Sequence, residues 1–165
     1  GTEKCQLYVF SIGPDKSLHS IIDLKDPKKA ERAEYVGNEP QKVLVTSGWG
    51  FIVTEAQRSI FVHTVNGTLI GIAKIENIIV DWCSATNNRG EDFVIFIDTD
   101  SQIGIFEAAK LNKNAESTES NQIKFINGQP GTIALIYNNE LECIITLSRK
   151  DGVLTLLPMP LDNFQ

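Results

Sequence analysis

The side chains able to do chemistry are few and widely spaced. His19 and His63 are the only histidines among 165 residues, and Cys5, Cys83 and Cys143 the only cysteines. Zinc needs ligands paired at short spacing, and neither residue type offers a pair. The three cysteines lie in apolar, alternating segments, so they read as small buried hydrophobes rather than a disulfide framework. Gly48-Trp49-Gly50 lacks the third glycine and the following helix of a dinucleotide loop. Thr46-Ser47-Gly48-Trp49-Gly50 lacks the Gly-x-Ser-x-Gly frame of a nucleophile elbow. Carboxylates remain. Glu55, Asp98, Asp100 and Asp151 fall in equivalent turns, where such groups commonly accept hydrogen bonds from backbone N–H groups. A catalytic reading requires three or more of Glu55, Asp81, Asp98 and His63 to converge on one point beside a metal or a deep pocket. The scaffold reading expects them scattered. No catalytic residue, cofactor or metal site is assigned.

Those turns belong to a repeat. From Lys4, Gln57, Asp100 and Asp151, an apolar residue stands three positions on (Leu7, Ile60, Ile103, Leu154) and another five on (Val9, Val62, Ile105, Leu156). The sixth position is large: Phe10, His63, Phe106 and Leu157. His63 therefore occupies a packing position. The origins are 53, 43 and 51 residues apart, close to a propeller blade and unlike a helical repeat. Phe51, Val94 and Ile145 precede the last three origins by six residues, and Val53, Phe96 and Leu147 by four. Each copy thus reads strand, short polar turn, strand. Asn66-Gly67 predicts a type I′ hairpin.

Strand counting gives two, four, four and three in successive copies, thirteen in all. The predicted fold is all-β: a propeller fragment of about three blades, the C-terminal half of a ring. Its divisions are a half-blade over 1–24, a charged insertion over 25–40, a blade over 41–75, a blade over 77–126 with a loop at 108–121, and a last blade over 131–160. The last blade lacks an outer strand, which an N-terminal segment of the ring would supply. Asp26, Pro27 and the run Lys28 to Glu34 predict a short exposed helix ending near Gly37.

Composition narrows the partners. With a formal net charge of −6 and no basic stripe, nucleic acid is not expected. No window has the ~20 apolar residues of a spanning helix, and the first residues carry no secretory-type apolar stretch. Lys28, Lys29 and Arg32 cluster among acidic neighbours. With Trp49, Asp100 and Asp151 they are the candidate partner contacts.

The segments Asp100–Phe106 and Asp151–Leu157 resemble the turn and third strand of WD40 repeats, although the family's Gly-His and Trp-Asp dipeptides are missing throughout. Ser59 to Ile70, with its Asn-Gly hairpin, and the preceding Trp49 to Val53 are similar to the C-terminal propeller of BEACH-domain proteins. That likeness covers roughly residues 41 to 160. It implies a non-catalytic scaffold acting in vesicle or lysosome trafficking or autophagy, cytoplasmic and peripheral to endomembranes. Membrane association would be indirect, through a parent chain. Partners would be proteins, and the remaining blades would come from the same chain or from a second copy. The alternative is a propeller enzyme, lactonase-like or glycan-processing, with polar residues facing the central channel.

Overall fold

The computed structural model describes residues 6–10, 14, 17–23, 42–56, 58–112, 123–162 and 164. Alternating β-branched and aromatic runs, punctuated by Asn, Asp, Gly and Ser, form thirteen strands in four antiparallel sheets. Sheet 1 pairs β1 (Gln6–Phe10) with β2 (Leu18–Asp23). Sheet 2 is a meander of β3 (Val43–Val45), β4 (Ile52–Glu55), β5 (Ser59–His63) and β6 (Leu69–Lys74). Sheet 3 repeats it with β7 (Ile79–Thr86), β8 (Asp92–Asp98), β9 (Gln102–Glu107) and β10 (Lys124–Asn127). Sheet 4 holds β11 (Thr132–Asn138), β12 (Cys143–Ser148) and β13 (Leu154–Pro158). Counts of two, four, four and three match those read from the repeat.

Packing explains why the strands are apolar on both sides. All seven residues of β8 are buried. Val94 and Phe96 join Val53, Ile60, Val62 and Trp82 in a core between sheets 2 and 3. Phe93, Ile95 and Ile97, one residue out of phase, join Ile103, Ile105, Leu135 and Ile144 between sheets 3 and 4. Successive side chains of a strand point to opposite faces, so one strand feeds two cores. Each such side chain contributes about 1.5–3 kcal/mol by leaving water.

The meander also sorts the turns. Connections β3–β4, β5–β6, β7–β8, β9–β10 and β11–β12 lie at one end of the sheets, here the Trp49 end. Connections β4–β5, β8–β9, β12–β13 and the links between sheets lie at the other, the Asp100 end. Hydrogen bonds along the Asp100 end bear this out: Gly128 N–H donates to Ser101 O at 2.8 Å and Arg149 N–H to Gly131 O at 2.9 Å.

Two local expectations need correction. The hairpin at Asn66-Gly67 is not type I′, which requires positive φ at both residues. Only Gly67 has it (φ 87°), and its N–H donates to Thr64 O at 3.0 Å. The turn is type I with Val65 and Asn66 at its centre, and Gly67 takes the left-handed position that forms a bulge, with the β5–β6 register shifting at Val62/His63. The loop expected over 108–121 begins as packed structure. Ala108–Lys110 form a 3-10 turn, and Ala108 and Leu111 are buried in the core between sheets 2 and 3. The backbone of Gly71 on β6 lies so close to Leu111 that a Cβ there would come within 2.4 Å of the Leu111 Cβ. The predicted helix near Asp26 and residues 113–122 lie outside the described residues.

Gly104 shows how tightly sheet 3 is filled. It stands directly opposite both Phe96 and Phe125, whose rings meet edge-on with centroids 6.0 Å apart. A Cβ on Gly104 would lie 2.1 Å from Phe96 Cζ. Gly104→Ala must therefore displace the Phe96 ring, and is expected to cost about 1–3 kcal/mol, read as a lower denaturant midpoint at unchanged slope.

Candidate functional site

At the Trp49 end, one buried carboxylate joins two sheets. Asp92 opens β8 and is 1% exposed. Its Oδ2 accepts from Thr46 Oγ1 and from Trp49 N–H, both at 2.7 Å. Its Oδ1 accepts from Gly48 N–H at 2.9 Å and from Thr86 Oγ1 at 2.7 Å. Three of these four donors belong to the β3–β4 turn of the neighbouring sheet. Burial by itself raises the Asp92 carboxyl, but the Trp49, Thr46, Thr86 and Gly48 donors outweigh it and hold the group below its ordinary value. Gly48 is required by proximity, because a Cβ there would sit 2.3 Å from Gly90 O. The result is a rigid turn whose Trp49 side chain remains 73% exposed.

The next two turns continue this surface. Asn87 Oδ1 accepts from Arg89 and Glu91 N–H at 3.0 and 2.9 Å, fixing the β7–β8 turn. Asn88 reaches the C-terminal segment, donating from N–H and Nδ2 to Asp162 at 3.1 and 2.6 Å. Between this turn and the β11–β12 turn lies a small pocket lined by Asn88, Tyr137, Asn139, Glu142, Leu161 and Asp162, among others. Glu142 keeps a positive φ of 47°, an unfavourable backbone state for a side chain with a Cβ. Leu141 beside it is 62% exposed.

A second clip ties the first strands of sheets 2, 3 and 4. Lys42 Nζ meets Asp81 Oδ1 at 3.1 Å and also donates to Trp82 O. Asp81 Oδ2 accepts from Leu135 N–H at 2.9 Å. Lys42 Nζ stands 5.2 Å from the centre of the Trp82 ring, a distance at which a cation is attracted to an aromatic face.

The carboxylates and histidine considered for catalysis are distributed. Asp98 accepts from Asp100 and Gln102 N–H, both at 2.9 Å, and from Asn77 Nδ2 at 3.1 Å, at the Asp100 end. Glu55 is buried at the same end of sheet 2, opposite Ile60. His63 lies three residues farther along β5, about 10 Å away at strand rise. Asp81 is held by Lys42 and Leu135. Among the described residues, no group of three or more His, Cys, Asp or Glu is placed to hold a metal ion. Cys83 and Cys143 are free and buried, and burial pushes the Cys83 thiol up to about 12. Burial likewise lowers His63 to about 4.

Of the expected partner contacts, Trp49 projects at one end while Asp100 and Asp151 lie in turns at the other. Lys28, Lys29 and Arg32 are outside the described residues. The sequence reading passed over Asp92 and Glu142. Asp92 had a signal, as an acid placed between a turn glycine and a fully apolar strand.

The outer face of sheet 4 carries a contiguous run of exposed apolar side chains. On sheet 4, Ile136, Ile145 and Leu156 are paired side by side, as are Leu147 and Leu154 two residues along, on the face turned away from sheet 3. Ile136, Leu154 and Leu156 are 58%, 61% and 55% exposed. On sheet 1, Tyr8 and Ile21 are exposed as a cross-strand pair, and on sheet 2 Val43 and Val45 of β3 are exposed although Ile52, Thr54 and Phe61 on the same face are buried. Among the described residues, no helix is long and apolar enough to cross a membrane.

Comparison with solved structures places this architecture. The chain is similar to BBS1N in its crystal structure with ARL6DN, at TM-score 0.63 and 12% identity, over 95% of this chain and 44% of that one. The chain is a partial β-propeller. Its sheets are blades, and the blade-like row is also similar to Kluyveromyces lactis Hsv2 (TM-score 0.59, 13% identity, 96% of this chain, 42% of that one). Dihydro-heme d1 dehydrogenase NirN in complex with DHE is similar too (TM-score 0.61, 7% identity, 96% of this chain, 31% of that one). The chain spans less than half the length of each, and likeness at such identities establishes fold alone. No protein-family model and no curated protein sequence matches the chain.

Two outcomes test the site's physics. Asp92→Asn leaves an amide with one acceptor oxygen facing four donors, so it should cost about 2–4 kcal/mol, while Trp49→Ala should stay within about 0.5 kcal/mol of the parent. Denaturant titration separates them. For His63, the unfolded chain carries a proton between pH 6.5 and about 4 that the folded chain refuses. The associated stability is fully present above pH 6.5 and falls as pH drops, by about 3 kcal/mol once pH is below 4. His63→Phe should flatten the stability profile in that window.

Proposed function

We propose that the chain is a non-catalytic protein-interaction scaffold, a run of propeller blades completed by further blades from the same chain or from a second copy. The exposed apolar face of blade 4 carries this reading. Blade 3 is covered on both sides, whereas Ile136, Leu154 and Leu156 on the outer face of blade 4 are left to water. Exposed contiguous apolar surface of this kind marks an interface. Among the described residues no further strand pairs with β13 (Leu154–Pro158) of blade 4, and a free edge accepts another strand. That a propeller-bearing chain of similar fold, BBS1N, is found in complex with ARL6DN supports the interaction role.

The finer reading places this propeller in a BEACH-type protein of vesicle or lysosome trafficking or autophagy, cytoplasmic and peripheral to endomembranes. It rests on the sequence of Ser59 to Ile70 and its neighbours. An enzymatic propeller is the competing reading, and the likeness to NirN keeps that class in view. The scatter of Glu55, Asp81, Asp98 and His63 favours the scaffold.

Light scattering with a dye for exposed apolar surface tests completion by other blades. The chain alone should bind dye and self-associate with rising concentration. The double variant Ile136→Lys/Leu156→Lys should do both less, with its circular dichroism unchanged. A dye-silent monomer at all concentrations would overturn the reading. A fluorescent fusion enriched on endomembranes would support the trafficking role, and a diffuse one would count against it.

A further inference from the structure

The Trp49 end has a feature that blade packing does not need. Trp49 is the most exposed large hydrophobic side chain among the described residues, at 73%, yet its backbone is anchored to a buried carboxylate that accepts four hydrogen bonds. An aromatic side chain on an immobile backbone loses little entropy on binding, which is why exposed tryptophans serve as interface anchors. The Trp49 turn abuts the β7–β8 turn through Gly48 and Gly90, and that turn forms one wall of the pocket with Glu142 and Asp162. Trp49 and the pocket are therefore parts of one continuous surface.

The chemistry of that surface is one-sided. The turns at 46–51, 87–91 and 139–142, with the segment 161–162, carry Glu91, Glu140, Glu142 and Asp162 against Arg89, and Lys110 of the neighbouring β9–β10 connection is paired with Glu107 at 2.6 Å. Arg89 is paired with Glu91 at 2.9 Å. The remaining charge is negative, and Asn88, Asn139 and Tyr137 add polar groups around it. The turns at the Asp100 end are mixed instead, with Arg58, Arg149 and Lys150 among Glu76, Asp100 and Asp151. The pocket's volume of about 30 Å³ suits one ammonium or part of a guanidinium, and is too small for a whole small-molecule ligand. Glu142 holds its place in spite of a φ of 47°. Glycine would sit there without strain but would remove the carboxylate.

We propose that this end of the propeller docks a basic segment of a protein partner. One Lys or Arg side chain of that segment enters the pocket beside Glu142 and Asp162, and the adjoining part of the segment lies against the Trp49 ring. Charge complementarity selects the partner, and the aromatic face supplies apolar and cation–π contact. This rests on the interaction reading above and names the partner class for one of its surfaces.

The test is a chemical-shift titration of the nitrogen-15-labelled full chain with acetyl-Gly-Ala-Lys-Ala-Gly-amide and its Arg and Met counterparts. The Lys and Arg peptides should move the Asn88, Asn139 and Glu142 amides and the Trp49 indole signal, and the Met peptide should not. Glu142→Gln should weaken the response about fivefold, the equivalent of one exposed charge pair, and added salt should weaken it further. Glu142→Gly should weaken binding equally while raising the denaturation midpoint, a combination a purely structural glutamate would not give. Equal response to the Met peptide, an unchanged response in Glu142→Gln, or no movement of these signals would overturn the proposal. Shifts confined to the Asp100-end turns would also overturn it, yet would leave the scaffold reading standing. Failure of that wider reading shows separately, in the light-scattering behaviour of the chain.

Discussion

A four-stranded sheet with apolar side chains on both faces is unstable until something covers each face, and this constraint governs the whole chain. Strand β8 states it most plainly. Val94 and Phe96 require blade 2, while Phe93, Ile95 and Ile97 require blade 4. Neither neighbour can be removed without exposing several large side chains at about 1.5–3 kcal/mol each. On blade 2 the other face is covered as well, with Phe61 and Ile72 buried there; the same requirement, unmet at the far face of blade 4, leaves Ile136, Leu154 and Leu156 exposed. Core and interface are thus one kind of surface, distinguished by whether a blade is present to cover it.

Polar groups set the geometry that apolar burial leaves loose. Hydrophobic packing is non-directional, and two sheets can slide on such a contact. Asp92 removes that freedom at one end by engaging Thr46, Gly48 and Trp49 across the blade boundary. Asp81 removes it along the first strands, by joining Lys42 of blade 2 to the Leu135 backbone of blade 4. Both are single carboxylates shared between blades. Buried His63 and Thr54 stand apart from this economy: His63 Nδ1 and Thr54 Oγ1 have no hydrogen-bond partner, which is consistent with a histidine kept neutral in the core.

The ends of the blades differ in consequence. At the Asp100 end, carboxylates are consumed by their own turns, as Asp98 is by Asp100 and Gln102. At the Trp49 end, Asp92 is consumed in the same way, but its work is to hold an exposed aromatic still. Beside it, Glu142 stays in a strained backbone position on a pocket wall. Rigid presentation plus unspent charge is what recognition of a partner needs, and it arises where two blades' turns meet.

The sequence by itself determined the period, the number of strands and their hairpin order. Each of these depends on side chains a few residues apart, as in the alternation of Ile103, Ile105 and Phe106. It also marked His63, Cys83 and Cys143 as packing residues, since their neighbours along the strand are apolar. Only the tertiary structure decided what depends on contacts between blades. Asp92 meets its partners in the neighbouring blade 43 to 46 residues away, and Asp162 meets Asn88 across 74, so no local pattern announces either of these contacts. The turn at Asn66-Gly67 and the packing of Leu111 against Gly71 were settled in the same way. A turn type answers to the bulge its strands require, and a polar-looking insertion can still lend its first apolar residue to the core.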